Sequence, residues 1–292
     1  MFEKILVPLD TSPMAEQVLP YTIELARAFN SSVYVLNICE AHKGHDITSC
    51  QTYLDTEVSE LKNSLAGQAK AVKSELITGS PGEKILFYAQ SEKVNLIIMT
   101  SHGRSGVTLW PIGSTVDKVL RRTGVPLIIV KVKEAQGASP QTELFKKILV
   151  PLDGSELGAK VVPYVAEIAA KMGSEVILFQ VIETAKHVHS LGRIDTVPFV
   201  EGELDSLKKR AAEFLEQKSR KFAESRAKVS TLVKAGNVAE EILKYADENS
   251  CSLIALSSHG HSGFESWIIG SITSKVLNAG KKSLLFVPAI EP

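Results

Sequence analysis

The chain has 292 residues, a length that suits two domains, and 44% of them are hydrophobic, as in an ordinary globular protein with a buried core. Lys and Arg together number 33, as do Asp and Glu, so the formal net charge is zero. This balance argues against a nucleic-acid partner, because domains that bind nucleic acids usually carry a basic face.

The N-terminal residues, the apolar runs and the cysteines predict the cellular compartment of the protein. Lys4 and Asp10 interrupt the apolar start, so no secretory signal is expected. No apolar run approaches the ~20 residues that cross a bilayer, which predicts no membrane partner. Three cysteines without a CxxC pair are typical of a reducing compartment. We therefore expect a cytoplasmic protein.

The two halves of the chain repeat each other. The nine residues KILVPLDTS that start at Lys4 return at Lys147 as KILVPLDGS, and further strings recur along each half. A duplicated domain accounts for this pattern, because each copy is long enough to fold alone. The predicted boundaries are residues 1–133 for domain 1, a polar linker at 134–145, and residues 146–292 for domain 2.

Each repeat alternates short apolar runs with helical patterns. The runs, rich in β-branched residues, predict strands that are covered on both faces. In chain order they are KILVPL, SVYVLNI, SELIT, LIIM and LIIVKV, then KILVPL, EVILFQVI, VSTLV, LIAL and SLLFVP. Helical patterns lie between them, such as 14–29 and the charged stretch 203–227, which we expect to hold most of the second repeat's extra length. The predicted fold is α/β, with two repeated doubly wound domains that each contain a mainly parallel, five-stranded, Rossmann-like sheet.

The last apolar runs of the repeats, LIIVKV and SLLFVP, are the predicted contact between them. A duplicated homodimer keeps its old two-fold interface, so the repeats are expected to form an internal pseudo-dimer. Whether two whole chains also pair into a homodimer stays open.

A longer string follows the fourth predicted strand of each repeat, SHGRSGVTLWPIGSTVDKVL from Ser101 and SHGHSGFESWIIGSITSKVL from Ser258. Because it leads from a strand into a helix, it lies at the edge of the sheet where α/β folds bind ligands. Ser114 and Ser271 are the predicted N-caps of those helices, whose free N–H groups and positive dipole ends attract anions. The spacing predicts an anion site, and the alternative is that the glycines only shape a turn.

Asp10 and Asp153 end the first strand of each repeat and lie over the same edge. Either carboxylate could accept hydrogen bonds from a ribose or from an adenine amino group. The alternative is that Asp10 helps Ser12 to cap the next helix, where Pro13 suits the first turn. The sequence leaves both interpretations open.

Two motifs resemble the universal stress protein family in its tandem, two-domain form. One is VPLD followed by Thr or Gly and then Ser at the first strand, and the other is Ser-His-Gly, nine residues, then Gly-Ser. The resemblance covers essentially the whole chain and implies a stress-response protein that is not an enzyme. It also implies that one or both domains bind ATP or AMP, with no metal required. Thr100 and Ser257 stand where the nucleotide-binding branch has its first glycine, so a scaffold that binds no nucleotide is the alternative.

The resemblance assigns nucleotide-binding residues by matching position. Asp10 and Asp153 would meet the adenosine. Ile38 and Val181 would offer backbone groups to adenine, and the loops that end in Gly-Ser would hold phosphate. The full set in domain 1 is Pro8, Asp10, Ile38, Met99, Thr100, Gly103, Arg104, Gly113, Ser114 and Thr115. The set in domain 2 is Pro151, Asp153, Val181, Leu256, Ser257, Gly260, Gly270, Ser271 and Ile272.

Enzymes that hydrolyse ATP or adenylate a substrate are alternatives that the motifs do not favour. The chain contains no GxxxxGK[ST] phosphate loop and no GxSxG nucleophile elbow. An adenylating ATP pyrophosphatase would have Ser-Gly-Gly after the first strand, where the repeats have Asp-Thr-Ser-Pro and Asp-Gly-Ser-Glu. We therefore expect no catalytic turnover of ATP.

Side chains that can bind metals follow the second strand of each repeat. They are Cys39, His42 and His45 in the first repeat, and Glu183, His187 and His189 at the matching place in the second. Such ligands can hold zinc, but no fourth ligand is evident, so a metal site is the weaker interpretation.

The two predicted nucleotide sites differ in charge. Arg104 follows Gly103 in the first loop, whereas His261 and Glu265 lie in the second. A cation strengthens a phosphate contact and a carboxylate weakens it, so domain 1 is predicted to bind nucleotide more tightly.

Overall fold

The computed structural model describes residues 1–40, 46–103, 112–132, 143–183, 185–190, 193–198, 202–225, 227–258 and 269–289. These residues form two compact units. The first contains the described residues up to Leu144 together with those from Ser283 onward, and the second contains the others. Within these ranges, no helix has both the length and the apolar surface that a bilayer crossing requires.

The first repeat alternates strands and helices, as its apolar runs predict. Its strands are β1 (Lys4–Leu9), β2 (Ser32–Cys39), β3 (Ala71–Thr78), β4 (Leu96–Thr100) and β5 (Leu127–Val130). Its helices are α1 (Pro13–Glu16), α2 (Leu19–Phe29), α3 (Ile47–Leu65), α4 (Pro81–Ser91) and α5 (Ser114–Arg122). Every residue of β2 and β4 is buried, as expected for strands that helices cover on both faces.

The second repeat follows the same plan with one addition. Its strands are β6 (Lys147–Pro151), β7 (Glu175–Glu183), β8 (Ala185–Ser190), β9 (Arg193–Pro198), β10 (Lys228–Gly236), β11 (Leu253–Ser257) and β12 (Ser283–Val287). Its helices are α6 (Val162–Met172), α7 (Glu203–Ser219), α8 (Val238–Glu248) and α9 (Ser271–Ala279), with 3-10 turns at Gly158–Val161 and Arg220–Phe222. The addition is β8 and β9, which form a separate antiparallel hairpin.

The sheet of the first unit has the strand order β12-β5-β4-β1-β2-β3. Its neighbouring strands are parallel except β12, which runs antiparallel to β5 with Leu285 opposite Ile128. The runs LIIVKV and SLLFVP, predicted to meet, therefore pair as β5 and β12 within this unit. The strand order reverses between β1 and β4, because the chain builds β2 and β3 on one side of β1 and then crosses to the other.

The sheet of the second unit has the order β11-β6-β7-β10, and all of these neighbours are parallel. The reversal falls between β6 and β11, which match β1 and β4. The predicted α/β class, with a mainly parallel Rossmann-like sheet repeated in two domains, is confirmed.

The helix predicted at 14–29 is in fact two helices. α1 ends at Glu16 and α2 begins at Leu19. Pro20 lies in the first turn of α2, where its missing N–H group is not needed, but it cannot continue a helix that began upstream. Pro163 occupies the same place in α6, behind a 3-10 turn. One proline at the start of the second helix thus explains the break in both repeats.

The extra length of the second repeat does not lie in the helix predicted at 203–227. That helix, α7, has 17 residues against 19 in α3, and it ends at Ser219. The insertion precedes the helix instead. Seven residues separate β2 from α3, whereas 19 separate β7 from α7 and include the hairpin.

Candidate functional site

A cavity of about 610 Å³ lies in the first unit where the strand order reverses. This volume is typical of small-molecule sites, and α/β folds place such sites at this point. Nine of the ten predicted residues of domain 1 line it: Pro8, Asp10, Ile38, Met99, Thr100, Gly103, Gly113, Ser114 and Thr115. The tenth, Arg104, lies outside the described residues. The structure therefore brings the predicted set together, while its role in binding stays a prediction.

Asp10 shapes the turn that leaves β1. Its Oδ1 accepts hydrogen bonds from the Ser12 backbone N–H at 3.1 Å and from the Ser12 hydroxyl at 2.6 Å. The Ser12 hydroxyl oxygen in turn accepts from the Ala15 N–H at 3.2 Å and caps α1. The carboxylate thus orients the capping residue, and it also lines the cavity. Thr11 between them has φ 68°, a left-handed conformation that costs a non-glycine residue about 1–2 kcal/mol.

Gly103 allows the loop after β4 to approach Asp10 closely. A Cβ added at this glycine would lie 2.0 Å from Asp10 Oδ2 and 3.0 Å from its Cγ. Gly103 is not in the left-handed region, so the demand for glycine comes from this approach and not from its backbone angles. The loops that end β1 and β4 are thereby fitted against each other at the cavity wall.

Thr100 turns its hydroxyl back onto its own loop. Its Oγ1 donates a hydrogen bond to the His102 carbonyl at 2.7 Å, and the side chain is buried. The His102 ring is buried too, with Nδ1 3.2 Å from the Ser101 hydroxyl. The extra atoms of Thr100, relative to a glycine, therefore have a structural role while the residue lines the cavity.

Gly113, and not the predicted Ser114, is the N-cap of α5. Its carbonyl accepts from the Asp117 N–H at 3.0 Å, and its N–H donates to the Ser101 carbonyl at 2.8 Å. Ser114 is the first residue of the helix, and none of the described side chains caps it. The first turn of a helix leaves N–H groups without helical partners, and here Ser114, Thr115 and Val116 line the cavity. Gly270 likewise replaces the predicted Ser271 as the N-cap of α9.

The start of α4 supplies a wall that the sequence interpretation missed. Ser80, Pro81 and Gly82 line the cavity, with Gly82 beside Lys118 of α5. The Lys118 ammonium lies 2.6 Å from Glu83 Oε1, and this hydrogen bond lowers the pKa of the Glu83 carboxyl. A Cβ added at Gly82 would lie 2.8 Å from Lys118 Cδ, so the glycine makes room for the lysine stem. The signal was present, since GSPGEKILFYA from Gly79 returns as GNVAEEILKYA in the second repeat.

Two features of this site recur in the second unit, namely the aspartate that orients a capping serine and the glycine N-cap of the following helix. Asp153 Oδ1 accepts from the Ser155 N–H at 3.0 Å and from its hydroxyl at 2.7 Å, and the Ser155 hydroxyl oxygen accepts from the Gly158 N–H. The Gly270 N–H donates to the Ser258 carbonyl at 3.0 Å, as Gly113 does in the first unit. The other predicted residues lie at strand ends or the helix start, namely Pro151 in β6, Val181 in β7, Leu256 and Ser257 in β11, and Ser271 and Ile272 in α9. Gly260 lies outside the described residues.

The metal candidates are only partly described. Cys39 is buried and contacts Cys50, while His42 and His45 lie outside the described residues. Glu183 ends β7 exposed, and His187 and His189 lie in β8. In the part of the chain that the structure describes, no three His, Cys, Asp or Glu side chains group as metal ligands.

Comparisons with known proteins agree with a repeated domain. The model of the universal stress protein family matches residues 1–131 and again 144–288. Universal stress protein YxiE of Bacillus subtilis is 32% identical over 147 residues, which are 99% of that protein and 49% of this chain. Universal stress protein MJ0577 of Methanocaldococcus jannaschii is 29% identical over 159 residues, with 98% of it and 46% of this chain covered. A universal stress protein crystal structure from Archaeoglobus fulgidus superposes with a TM-score of 0.71 at 19% identity and covers 99% of this chain and 100% of its own.

Proposed function

We propose that this chain, which belongs to the universal stress protein family, binds an adenine nucleotide, ATP or AMP, in the cavity of its first unit. The observation that carries the proposal is the meeting of residues from four separate chain segments around one cavity. They come from the end of β1, the end of β2, the end of β4 and the start of α5. A cavity of this volume at the reversal of the strand order, lined by a carboxylate, a lysine and the start of a helix, is typical of a ligand site in an α/β fold.

The phosphate end of the ligand is assigned to the start of α5. The N–H groups of Ser114, Thr115 and Val116 and the positive end of the helix dipole favour an anion there. Lys118, one turn further on, brings a cation to the same wall. Its present partner Glu83 is exposed, and a surface ion pair of this kind contributes little because water screens both charges, so a phosphate can replace Glu83 as the partner of Lys118.

The nucleoside end is assigned to the ends of β1 and β2. Asp10 would accept from a ribose hydroxyl or an adenine amino group, and Ile38 would offer backbone groups and an apolar contact to the base. Together with the phosphate contacts, these groups bind every part of an adenine nucleotide. A metal ion is not needed in this scheme, because Lys118 and the helix start already supply positive charge.

We propose binding and not turnover as the biochemical function. In the proposed scheme Asp10 is assigned to the nucleoside end and Lys118 to the phosphates, and no group is assigned as a general base for an attacking water. A ligand that binds only the folded state stabilises it, by about 2.7 kcal/mol at 100 times its Kd. Nucleotide level would then set the stability of the first unit and the surface that it offers to a partner.

The experiment combines ligand identification with titration. Mass spectrometry of ligand released from the purified full chain, followed by calorimetric titration with ATP and with AMP, is expected to find an adenine nucleotide. Gly113→Asp should abolish tight binding, because a carboxylate would face the phosphate. Asp is also a favourable N-cap, and a Cβ at Gly113 meets nothing closer than 3.4 Å, so the fold tolerates the change.

Matched variants compare the two units and test the binding role of Lys118. Gly270→Asp makes the same change in the second unit and should leave the tight site intact. Lys118→Met should weaken binding by about 10- to 100-fold, since a hydrogen bond to a charged group is worth about 1.5–3 kcal/mol. Lys62→Met, which removes an exposed lysine from α3, should change nothing. Failure of the wild-type chain to bind either nucleotide would overturn the proposal, and measurable ATP hydrolysis would overturn its non-enzymatic part.

A further inference from the structure

Two cysteines of the first unit lie against each other. Cys39 is the last residue of β2, and Cys50 lies in the first turn of α3. Their Sγ atoms are 3.0 Å apart, and both side chains are buried, at 0% and 4% exposed. A disulfide needs the sulfurs at about 2.05 Å, so a shift of about 1 Å converts this contact into bonding distance. Both residues lie at the ends of their elements, where local opening is easiest.

The second repeat lacks this pair. The offset that relates Lys4 to Lys147 places Ile182 at the position of Cys39. The offset that relates Gly79 to Gly236 places Leu207 at the position of Cys50. The matching positions therefore carry two aliphatic residues in one repeat and two thiols in the other. Packing alone does not require sulfur there.

The third cysteine provides an internal contrast. Cys251 lies just before β11 in the second unit and is 1% exposed. Burial raises the pKa of the Cys251 thiol, but Cys39 and Cys50 are about as buried, so the contrast between them is the second sulfur that Cys39 and Cys50 have beside them. The chain contains three cysteines, so Cys39 and Cys50 have only each other and this buried thiol as candidate partners within one molecule.

We propose that Cys39 and Cys50 form a reversible redox site, which a peroxide oxidises to an intramolecular disulfide. One thiolate attacks the peroxide, so that an S–O bond forms, the O–O bond breaks, and one water leaves after proton transfer. The second thiolate then attacks the sulfenic sulfur, the S–S bond forms as the S–O bond breaks, and the hydroxide takes a proton and leaves as a second water. One peroxide and two thiols give one disulfide and two waters. A dithiol reductant reverses the step.

The oxidised site joins the end of β2 to the start of α3. Cys39 lies between Ile38 and Glu40, which both line the cavity of the first unit. The covalent link thus forms directly beside the cavity wall. In a reducing compartment such a disulfide is transient and serves as a sensor, unlike the permanent disulfides of secreted proteins.

The test treats the reduced full chain with hydrogen peroxide and then measures intact mass, free thiols and linked peptides. The expected product is two hydrogen atoms lighter, has lost two thiols, and yields a peptide pair that joins Cys39 to Cys50. Dithiothreitol should restore the starting mass. Because the two sulfurs are already adjacent, this pair should react at least about tenfold faster than Cys251 does.

Variants and a denatured control make the result decisive. Cys251→Ser should form the link as the wild type does, whereas Cys39→Ala and Cys50→Ala should not form it. In urea the preference for this pair over pairs with Cys251 should shrink, because the fold no longer holds the thiols together. The proposal is overturned if the folded chain keeps all three thiols, gains oxygen atoms without a link, or links through Cys251 or between molecules.

Discussion

Gly103→Ala tests whether the fit between the loops after β1 and β4 is as close as the distances indicate. The new Cβ would lie 2.0 Å from Asp10 Oδ2, so the carboxylate must retreat by about 1 Å or more. That movement weakens the two hydrogen bonds that Asp10 Oδ1 accepts from Ser12, at 3.1 and 2.6 Å. Each such bond is worth about 1 kcal/mol net in a half-buried setting. Alanine also lowers the conformational entropy of the unfolded chain, which stabilises the folded state by about 0.4–1 kcal/mol. If both hydrogen bonds are lost, the net expectation is a loss of about 1–1.6 kcal/mol.

A double-mutant cycle isolates this cause. Urea unfolding followed by circular dichroism would measure Gly103→Ala in the wild type and again in an Asp10→Ala background. Without the carboxylate, the three atoms nearest to the new methyl group are gone, so Gly103→Ala should become neutral or stabilising by up to about 1 kcal/mol. An equal cost of Gly103→Ala in both backgrounds would refute the reasoning.

Two further predictions concern stability in the first unit. Burial, followed by the charges of Glu16 and Glu60, raises the pKa of Glu57, so its neutral form favours the folded state and that contribution is lost as pH rises through the raised value. Glu57→Gln should therefore raise the free energy of unfolding at pH 7 by less than about 1 kcal/mol, and Tm should rise with it. The gain should vanish in melts below about pH 4. Ser283→Ala should cost about 1–2 kcal/mol in thermal unfolding, because its hydroxyl makes a buried 2.9 Å hydrogen bond with the Tyr21 hydroxyl. An unchanged Tm for Ser283→Ala, or a Glu57→Gln effect that is the same at every pH, would contradict these expectations.

The strands and the edge that holds the cavity could be predicted from the sequence because they rest on local signals. A buried parallel strand is a continuous apolar run, and β2 and β4 are buried along their whole length. The ends of β1 and β4 must then meet wherever the strand order reverses, so the partners Asp10 and Gly103 follow from topology alone. The repeat doubled each of these signals.

The hairpin of β8 and β9 was missed for the converse reason. A hairpin alternates polar and apolar residues, and RIDTVP contains no continuous apolar run. The available signal in the sequence was a spacing of two residues, Leu191 and Gly192, between two alternating segments. SLLFVP suits any buried strand, so no local signal places β12. Its contact with LIIVKV followed instead from the two-fold interface expected of a duplicated homodimer, and the antiparallel pairing with β5 assigns it to the first unit.

The break between α1 and α2 and the N-cap of α5 were misjudged because a weak local preference was followed too far. The helical periodicity of residues 14–29 predicted one helix although Pro20 interrupts it. The preference of serine for N-caps predicted Ser114, whereas the N-cap is Gly113. Ser114, whose side chain could cap α5, lies one residue after the N-cap position. The helix thus begins at a glycine that makes no side-chain cap, although a serine is adjacent.

Gly113→Ser asks why that glycine is there. Gly113 has φ −68° and ψ 150°, which any residue adopts, and a Cβ would lie 3.4 Å from the Ser101 carbonyl, an ordinary contact. Folding therefore does not require glycine at this position, and a serine cap would stabilise α5 by a few tenths of a kcal/mol. A serine would, however, bond the N–H groups that the proposed phosphate needs and fill space beside them. We expect Gly113→Ser to hold or raise Tm without ligand and to lower nucleotide affinity by about tenfold in calorimetry, because the cap competes for those donors. A loss of stability with unchanged affinity would assign this glycine to the fold and remove the start of α5 from the binding site.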